Sequence, residues 1–211
     1  MVQIAVIDYD MGNLHSACKG LENAGGKPHV TDSAREIAAA EAVVLPGVGA
    51  FDPAMQHLRS RHLEKPIEAA IASGKPFLGI CLGLHLLFEG SEEGKEPGLG
   101  LLSGWVRRFR PEPQITIPHM GWNTLSFSQP NHYLWQGLGA NPYAYFVHSY
   151  YVDPAQPSVN AATVTHGSQT VTAAIARSNL AAVQFHPEKS STVGLKILAN
   201  FVAQVQTGVP V

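Results

Sequence analysis

Apolar residues in the first half of the chain fall in short unbroken runs, each followed by a turn and then by a stretch of helical character. Ile4-Ala5-Val6-Ile7 ends at Asp8, and Asn13 precedes a helical stretch from Leu14 to Ala24 that Gly25-Gly26 closes. Ala42-Val43-Val44-Leu45 ends at Pro46-Gly47, and Phe77-Leu78-Gly79-Ile80 ends at Cys81, with a helix predicted between them from Pro66 to Ser73, closed by Gly74. Runs that do not alternate are expected of strands buried on both faces. Strand-helix-strand succession therefore predicts an open, mainly parallel, doubly wound α/β sheet with helices on both faces.

After Leu101 the pattern changes to short β-branched and aromatic runs broken by Pro, Gly and Asn: Tyr143 to Val152, Ala161 to Thr165, Val171 to Ile175 and Ala181 to Phe185. This half should add antiparallel strands. Ser190-Ser191-Thr192 then opens an amphipathic helix that packs through Val193, Ile197, Leu198 and Phe201. The Gly- and acid-rich segment from Glu89 to Gly100 is expected to be the mobile loop. No repeat and no convincing linker divides the chain, so one domain across 1–211 is expected.

Composition narrows the classes of function. Lys+Arg number 14 against Asp+Glu 16, a net charge of -2 without a basic run, so nucleic acid is not an expected partner. No apolar run reaches membrane-spanning length and no cationic leader precedes the first strand, so no membrane partner and a cytoplasmic location are expected. Two cysteines are too few for a disulfide scaffold. Cys18 reads as a structural residue on a helix. Of the ten histidines, His57, His62, His119, His132, His148 and His166 read mostly as surface or interface groups; none is spaced for a zinc helix, and neither a metal nor a cofactor is expected.

Chemistry concentrates at Gly79-Ile80-Cys81-Leu82-Gly83, which has the spacing of a nucleophile elbow. Glycines two before and two after let neighbouring segments approach a sharp strand-to-helix turn without Cβ clashes, and the turn pushes the Cys81 side chain outward. Unpaired amides and the dipole of a helix starting at Leu82 should favour thiolate. A lone buried cysteine is a common structural residue. The balance shifts with His186-Pro187-Glu188, a base and a carboxylate at another strand end, so that Cys81, His186 and Glu188 form a plausible catalytic triad. Pro46-Gly47-Val48-Gly49 follows a third strand, and its amides, Val48 among them, together with the Leu82 amide, are candidates for an oxyanion hole.

These three segments, in this order, resemble the triad-type class I glutamine amidotransferases. Pro46 to Phe51, Pro118-His119-Met120-Gly121-Trp122-Asn123 and Tyr145-Phe146-Val147-His148-Ser149-Tyr150 make the chain similar, over essentially its whole length, to the glutaminase subunits of imidazole glycerol phosphate synthase. The resemblance implies a flavodoxin-like sheet, hydrolysis of L-glutamine to glutamate and ammonia through a thioester on Cys81, and delivery of the ammonia to a (β/α)₈-barrel cyclase subunit in a heterodimer. It implies that Gly49, Ser149 and Tyr150 line the glutamine site and that Glu93 meets the α-amino group. His85 stands where such chains usually carry Gln; a neutral imidazole still donates one hydrogen bond there, whereas a charged one would sit near the thiolate. Pro118, His119, Met120, Trp122, Tyr145 and Lys189 resemble the docking face, with a core position as the alternative for Trp122 and a solvated charge for Lys189. The Gly47–Val48 peptide is expected to point its N–H away from the site at rest and to flip when the partner is loaded, Gly47 and Gly49 forming the gating loop. Alternative readings are a glutaminase of another class I pathway, a partner-independent cysteine peptidase or γ-glutamyl hydrolase, and a silent binding module.

Overall fold

The computed structural model describes residues 1–113 and 115–207. In chain order the elements are β1 (Gln3–Ile7), α1 (Leu14–Asn23), β2 (Lys27–Thr31), α2 (Ala34–Ala39), β3 (Ala42–Gly47), α3 (Phe51–Ser60), α4 (Glu64–Ala72), β4 (Phe77–Cys81), α5 (Leu82–His85), β5 (Gly90–Ser91) and β6 (Gly104–Arg108). The second half adds β7 (His119–Thr124), β8 (Ser126–Phe127), β9 (Tyr143–His148), β10 (Tyr150–Pro154), β11 (Asn160–His166), β12 (Gln169–Arg177), β13 (Leu180–Val183) and α6 (Ser191–Thr207).

An eight-stranded sheet runs in the order β2-β1-β3-β4-β13-β12-β11-β8. Its first five strands are parallel and the last three pair antiparallel. The period-2 alternation of side chains sorts the parallel strands onto two cores. Val6, Val44, Leu78 and Val183 pack with Leu21 of α1 and Ile197, Leu198 and Phe201 of α6. Ile7, Val43, Phe77 and Ala182 pack on the other face with Ile37 of α2, Met55 and Leu58 of α3, and Ile67 of α4. Both faces are covered, which is why these strands carry unbroken apolar runs.

The stretch from Tyr143 to Val152 is not one strand. It breaks at Ser149, so that β9 pairs with β7 in a two-stranded ribbon while β10 joins β6 and β5 in a separate sheet. The segment expected to be mobile, 89–100, is anchored: Asp52 accepts hydrogen bonds from the Lys95 and Glu96 amides at 2.9–3.0 Å, and Arg59 pairs with Glu96 and the Pro97 carbonyl. Its acids and glycines serve as partners for α3 rather than as a solvated tether.

Parallel register decides what meets at the carboxyl edge. Gly47 lies opposite Cys81, and Val183 opposite Ile80, so the residues after β13 continue beside the cysteine. A Cβ on Gly83 would collide with the Leu45 carbonyl oxygen, and one on Gly79 would come 2.8 Å from the Ala182 Cβ. Because the obstacle at 83 is backbone, no side-chain rotation relieves it. Gly83→Ala is therefore expected to lower stability by ~2–3 kcal/mol in urea unfolding; an unchanged midpoint would mean that the turn is loose enough to open.

Candidate active site

Cys81 ends β4 with φ 53° and ψ -109°, a left-handed conformation that a non-glycine residue adopts at a cost of ~1–3 kcal/mol. The strain turns its side chain out of the sheet. The helix expected to start at Leu82 is a single turn, Leu82–His85. Its dipole is correspondingly small, so the side chains around the sulfur dominate the local electrostatics. One of them is His186, which hydrogen-bonds Cys81 and whose Nδ1 lies 2.8 Å from Glu188 Oε1. Burial works against a charged ring here; the hydrogen bonds to Cys81 and Glu188, and the attraction of both groups, outweigh it and raise the imidazole pKa to about 9. The His186 amide donates to the Tyr145 carbonyl at 3.0 Å, and Ser190 Oγ donates to the His186 carbonyl at 2.6 Å, tying the ring's backbone to β9.

The Gly47–Val48 peptide is oriented away from the sulfur. Val48 N–H donates to the Met11 carbonyl at 2.8 Å, whereas the other proposed oxyanion donor, the Leu82 amide, opens a helical turn. A Cβ at 47 would collide with the Tyr9 hydroxyl and come 2.9 Å from the Leu82 Cβ. That hydroxyl is buried without a hydrogen-bond partner, and burial, with the neighbouring Cys81, pushes its pKa up. Glycine at 47 is thus required by packing.

A cleft of ≈ 330 Å³ opens over the cysteine, lined by Val48, Gly49, Cys81, Leu82, His85 and Glu93 together with Pro118, Val147, His148, Ser149, Tyr150 and His186. Gly49, His85, Glu93, Ser149 and Tyr150 are thereby brought together. Glu93 Oε2 accepts from the Phe51 amide at 3.0 Å, and burial pushes its carboxyl pKa upward against that bond. His85 is buried, and burial lowers its pKa to about 4 although its hydrogen bond to Gln184 opposes the shift. It stands in the cleft wall as a neutral ring whose Nε2 lies 2.7 Å from Gln184 Oε1.

The class-I glutamine amidotransferase family model matches residues 5–205. The chain belongs to this family. It is 73% identical over 206 residues to "Imidazole glycerol phosphate synthase subunit HisH" of Microcystis aeruginosa, covering 98% of this chain and 97% of that protein. It is 68% identical over 210 residues to the protein of the same name from Nostoc punctiforme, covering the whole of both. Among solved structures, a glutamine amidotransferase superposes with a TM-score of 0.73 at 19% identity, over 97% of this chain and 99% of that one. The glutaminase domain of Trypanosoma brucei CTPS superposes at 0.72 and 17% identity, over 98% and 94%. At these identities the structures speak to the fold alone.

Of the residues assigned to a docking face, Met120 (61% exposed), Trp122 (53%) and Lys189 stand in solvent and Tyr145 is half-buried beside Trp122, the ring centroids 6.0 Å apart. Trp122 is therefore not a core residue. Tyr143, unremarked in the sequence, joins them on the outward face of the ribbon formed by β7 and β9. His119 is a correction: the two-residue alternation that exposes Met120 turns His119 inward, where it stacks on Phe146 and His166. His148 is buried likewise, its Nδ1 donating to the Tyr150 carbonyl at 2.8 Å and its Nε2 meeting His119 Nδ1 at 3.0 Å. Strand parity, which the sequence pattern did not resolve here, would have separated these inward rings from their outward neighbours.

Burial lowers His148 to about 3, and His85 and His119 to about 4, from 6.5. Between those values the unfolded chain binds more protons than the folded one, so the stability they represent is present above pH 6.5 and is lost as pH falls through about 4. Urea midpoints should fall on acidification from neutrality, and His148→Gln should reduce the slope of stability against pH in this window by about one proton; an unchanged slope would place the ring in solvent.

Proposed function

We propose that the chain is the glutaminase subunit of an imidazole glycerol phosphate synthase, hydrolysing L-glutamine and supplying ammonia to a separate cyclase subunit in histidine biosynthesis. The observation that carries the chemistry is the buried Cys81–His186–Glu188 constellation, of which Cys81 and His186 line the cleft. The pathway rests on the full-length likeness to the cyanobacterial subunits.

In this reading Cys81 Sγ, as thiolate paired with His186, attacks the carboxamide carbon of glutamine. Negative charge develops on the carbonyl oxygen and is met by the Leu82 amide and, after rotation of its peptide, by the Val48 amide; one such donor is typically worth ~10²–10³ in turnover. His186 gives its proton to the departing nitrogen, the C–N bond breaks, and ammonia leaves a γ-glutamyl thioester. His186, neutral again, takes a proton from water as the water attacks the thioester; the C–S bond breaks, glutamate departs, and the Cys81 thiolate is restored beside protonated His186. Glu188 holds the ring orientation throughout. Glu93 receives the α-amino group, while Gly49, Ser149 and Tyr150 bind largely through backbone groups.

The bond from Val48 N–H to Met11 supports a resting state with an incomplete oxyanion hole. The outward apolar face of Met120, Trp122, Tyr143 and Tyr145 adjoins Pro118 and Val147 of the cleft wall, which supports docking of a (β/α)₈-barrel cyclase there, one copy of each subunit, with Lys189 at the rim. Direct transfer has a chemical reason: ammonia released to neutral water is protonated and loses its nucleophilic lone pair. The setting is cytoplasmic. No described helix is long and apolar enough to cross a membrane.

Glutamate release should be slow for the purified chain and strongly stimulated when a cyclase subunit and its nucleotide ligand are both added, with Cys81→Ala silent throughout. Turnover indifferent to the cyclase would favour another glutaminase. Gly47→Ala should depress stimulated turnover by roughly 10²–10³-fold while altering the KM for glutamine little, as expected for loss of one transition-state donor; equal changes in both would remove the gate.

A further inference from the structure

Behind the nucleophile lies a polar side chain that the triad does not use. Gln184 is fully buried, directly after β13 and two residues before His186, and parallel pairing of Val183 with Ile80 sets it beside Cys81. Its amide N–H is satisfied by the Ala173 carbonyl at 2.8 Å, so the backbone is fixed on the β12 side and the side chain projects toward the elbow. There the carboxamide has two neighbours: Oε1 lies 2.7 Å from His85 Nε2, and Nε2 lies 4.0 Å from Cys81 Sγ.

A carboxamide can be turned by half a revolution with almost no change in shape, and the two orientations have opposite consequences for a sulfur anion. With nitrogen toward the sulfur, a donor and the positive end of the amide dipole face the developing charge. With oxygen toward it, an acceptor with no hydrogen faces the thiolate and destabilises it. A neutral His85 carrying its proton on Nε2 accepts only the first arrangement, because that hydrogen needs an acceptor and Gln184 Oε1 supplies it. With the proton on Nε2, the 2.7 Å contact selects the donating orientation.

We propose that Gln184 is a further catalytic residue, its NH₂ stabilising the Cys81 thiolate, and that His85 is a positioning residue that locks the Gln184 carboxamide in the donating orientation. The assignment rests on Cys81 being the nucleophile. It gives His85 a task distinct from binding glutamine: its single donor is already committed to Gln184. A glutamine amide at this position would present the same donor to Oε1 as the Nε2–H tautomer of His85.

The groups that face Cys81 are His186 after β13, Tyr9 after β1, His85 in α5, and Glu93 and His148 in the cleft lining. Only His85 and Gln184 are altered in the test, so the others remain a constant background. The test is the rate of alkylation of Cys81 by iodoacetamide as a function of pH, in the full-length chain without glutamine and in a Cys18→Ser background. Gln184→Met should slow alkylation near neutrality about threefold to tenfold, the range expected for one hydrogen bond, and move the pH midpoint upward. His85→Met should do the same although it leaves Gln184 in place, His85→Gln should restore the parental profile, and the double Gln184→Met/His85→Met change should be no worse than either alone. Far-UV circular dichroism identifies any variant that fails to fold; should Gln184→Met do so, the contrast between His85→Met and His85→Gln carries the test. Parental rates and midpoints in His85→Met, or a His85→Gln profile identical to a slowed His85→Met, would overturn the proposal. A parental Cys81 that alkylates no faster than an ordinary thiol would instead overturn its assignment as nucleophile.

Discussion

The arrangement depends on the parallel pairing of β3, β4 and β13, which lays Gly47 opposite Cys81 and carries the chain past Val183 to Gln184 and His186. Parallel strands place their carboxyl ends on one edge of the sheet, so a turn, a nucleophile and a base from distant parts of the sequence meet without a dedicated scaffold. The price is local: Cys81 holds a positive φ, and Gly79 and Gly83 leave no space for a side chain because Ala182 and the Leu45 carbonyl press against them. Two well-filled cores, one on each face, hold that strained turn in place.

The electrostatics of the site follow from which groups are partnered. His186 sits between Cys81 and Glu188 and so retains a proton despite its burial. His85, His119 and His148 lie within the same region, have neutral partners, and remain neutral. A single positive ring beside the sulfur is the outcome. The same burial that keeps the other three rings neutral makes them a reservoir of acid sensitivity, so the composition of the cleft wall and the stability of the domain are linked.

Much of the parallel half was legible because strands buried on both faces need unbroken apolar runs, and the elbow, the His-Pro-Glu tripeptide and the Pro-Gly turn each follow such a run. The antiparallel half was less so. Nothing in Tyr143 to Val152 marks the break at Ser149 that separates β9 from β10, because tertiary pairing, and not propensity, decides it. His119 was placed on the surface with Met120 although adjacent strand residues face opposite ways, and the loop at 89–100 was taken for a tether although Asp52 and Arg59 bind it. Gln184 gave no signal at all: only the register between β4 and β13 shows that it lies beside the nucleophile. Tyr9 was silent for the same reason, its relation to Gly47 being one of packing across strands.

The central claim is that Cys81 carries the glutamyl group during turnover. Its most direct measurement is mass spectrometry of the chain quenched in acid while it turns over glutamine in the presence of a cyclase subunit and its ligand, followed by mapping of the modified peptide. A γ-glutamyl adduct on the peptide containing Cys81, discharged when hydroxylamine is added, is the predicted result. Turnover at full rate in the Cys81→Ala chain, or an adduct confined to another residue, would contradict it.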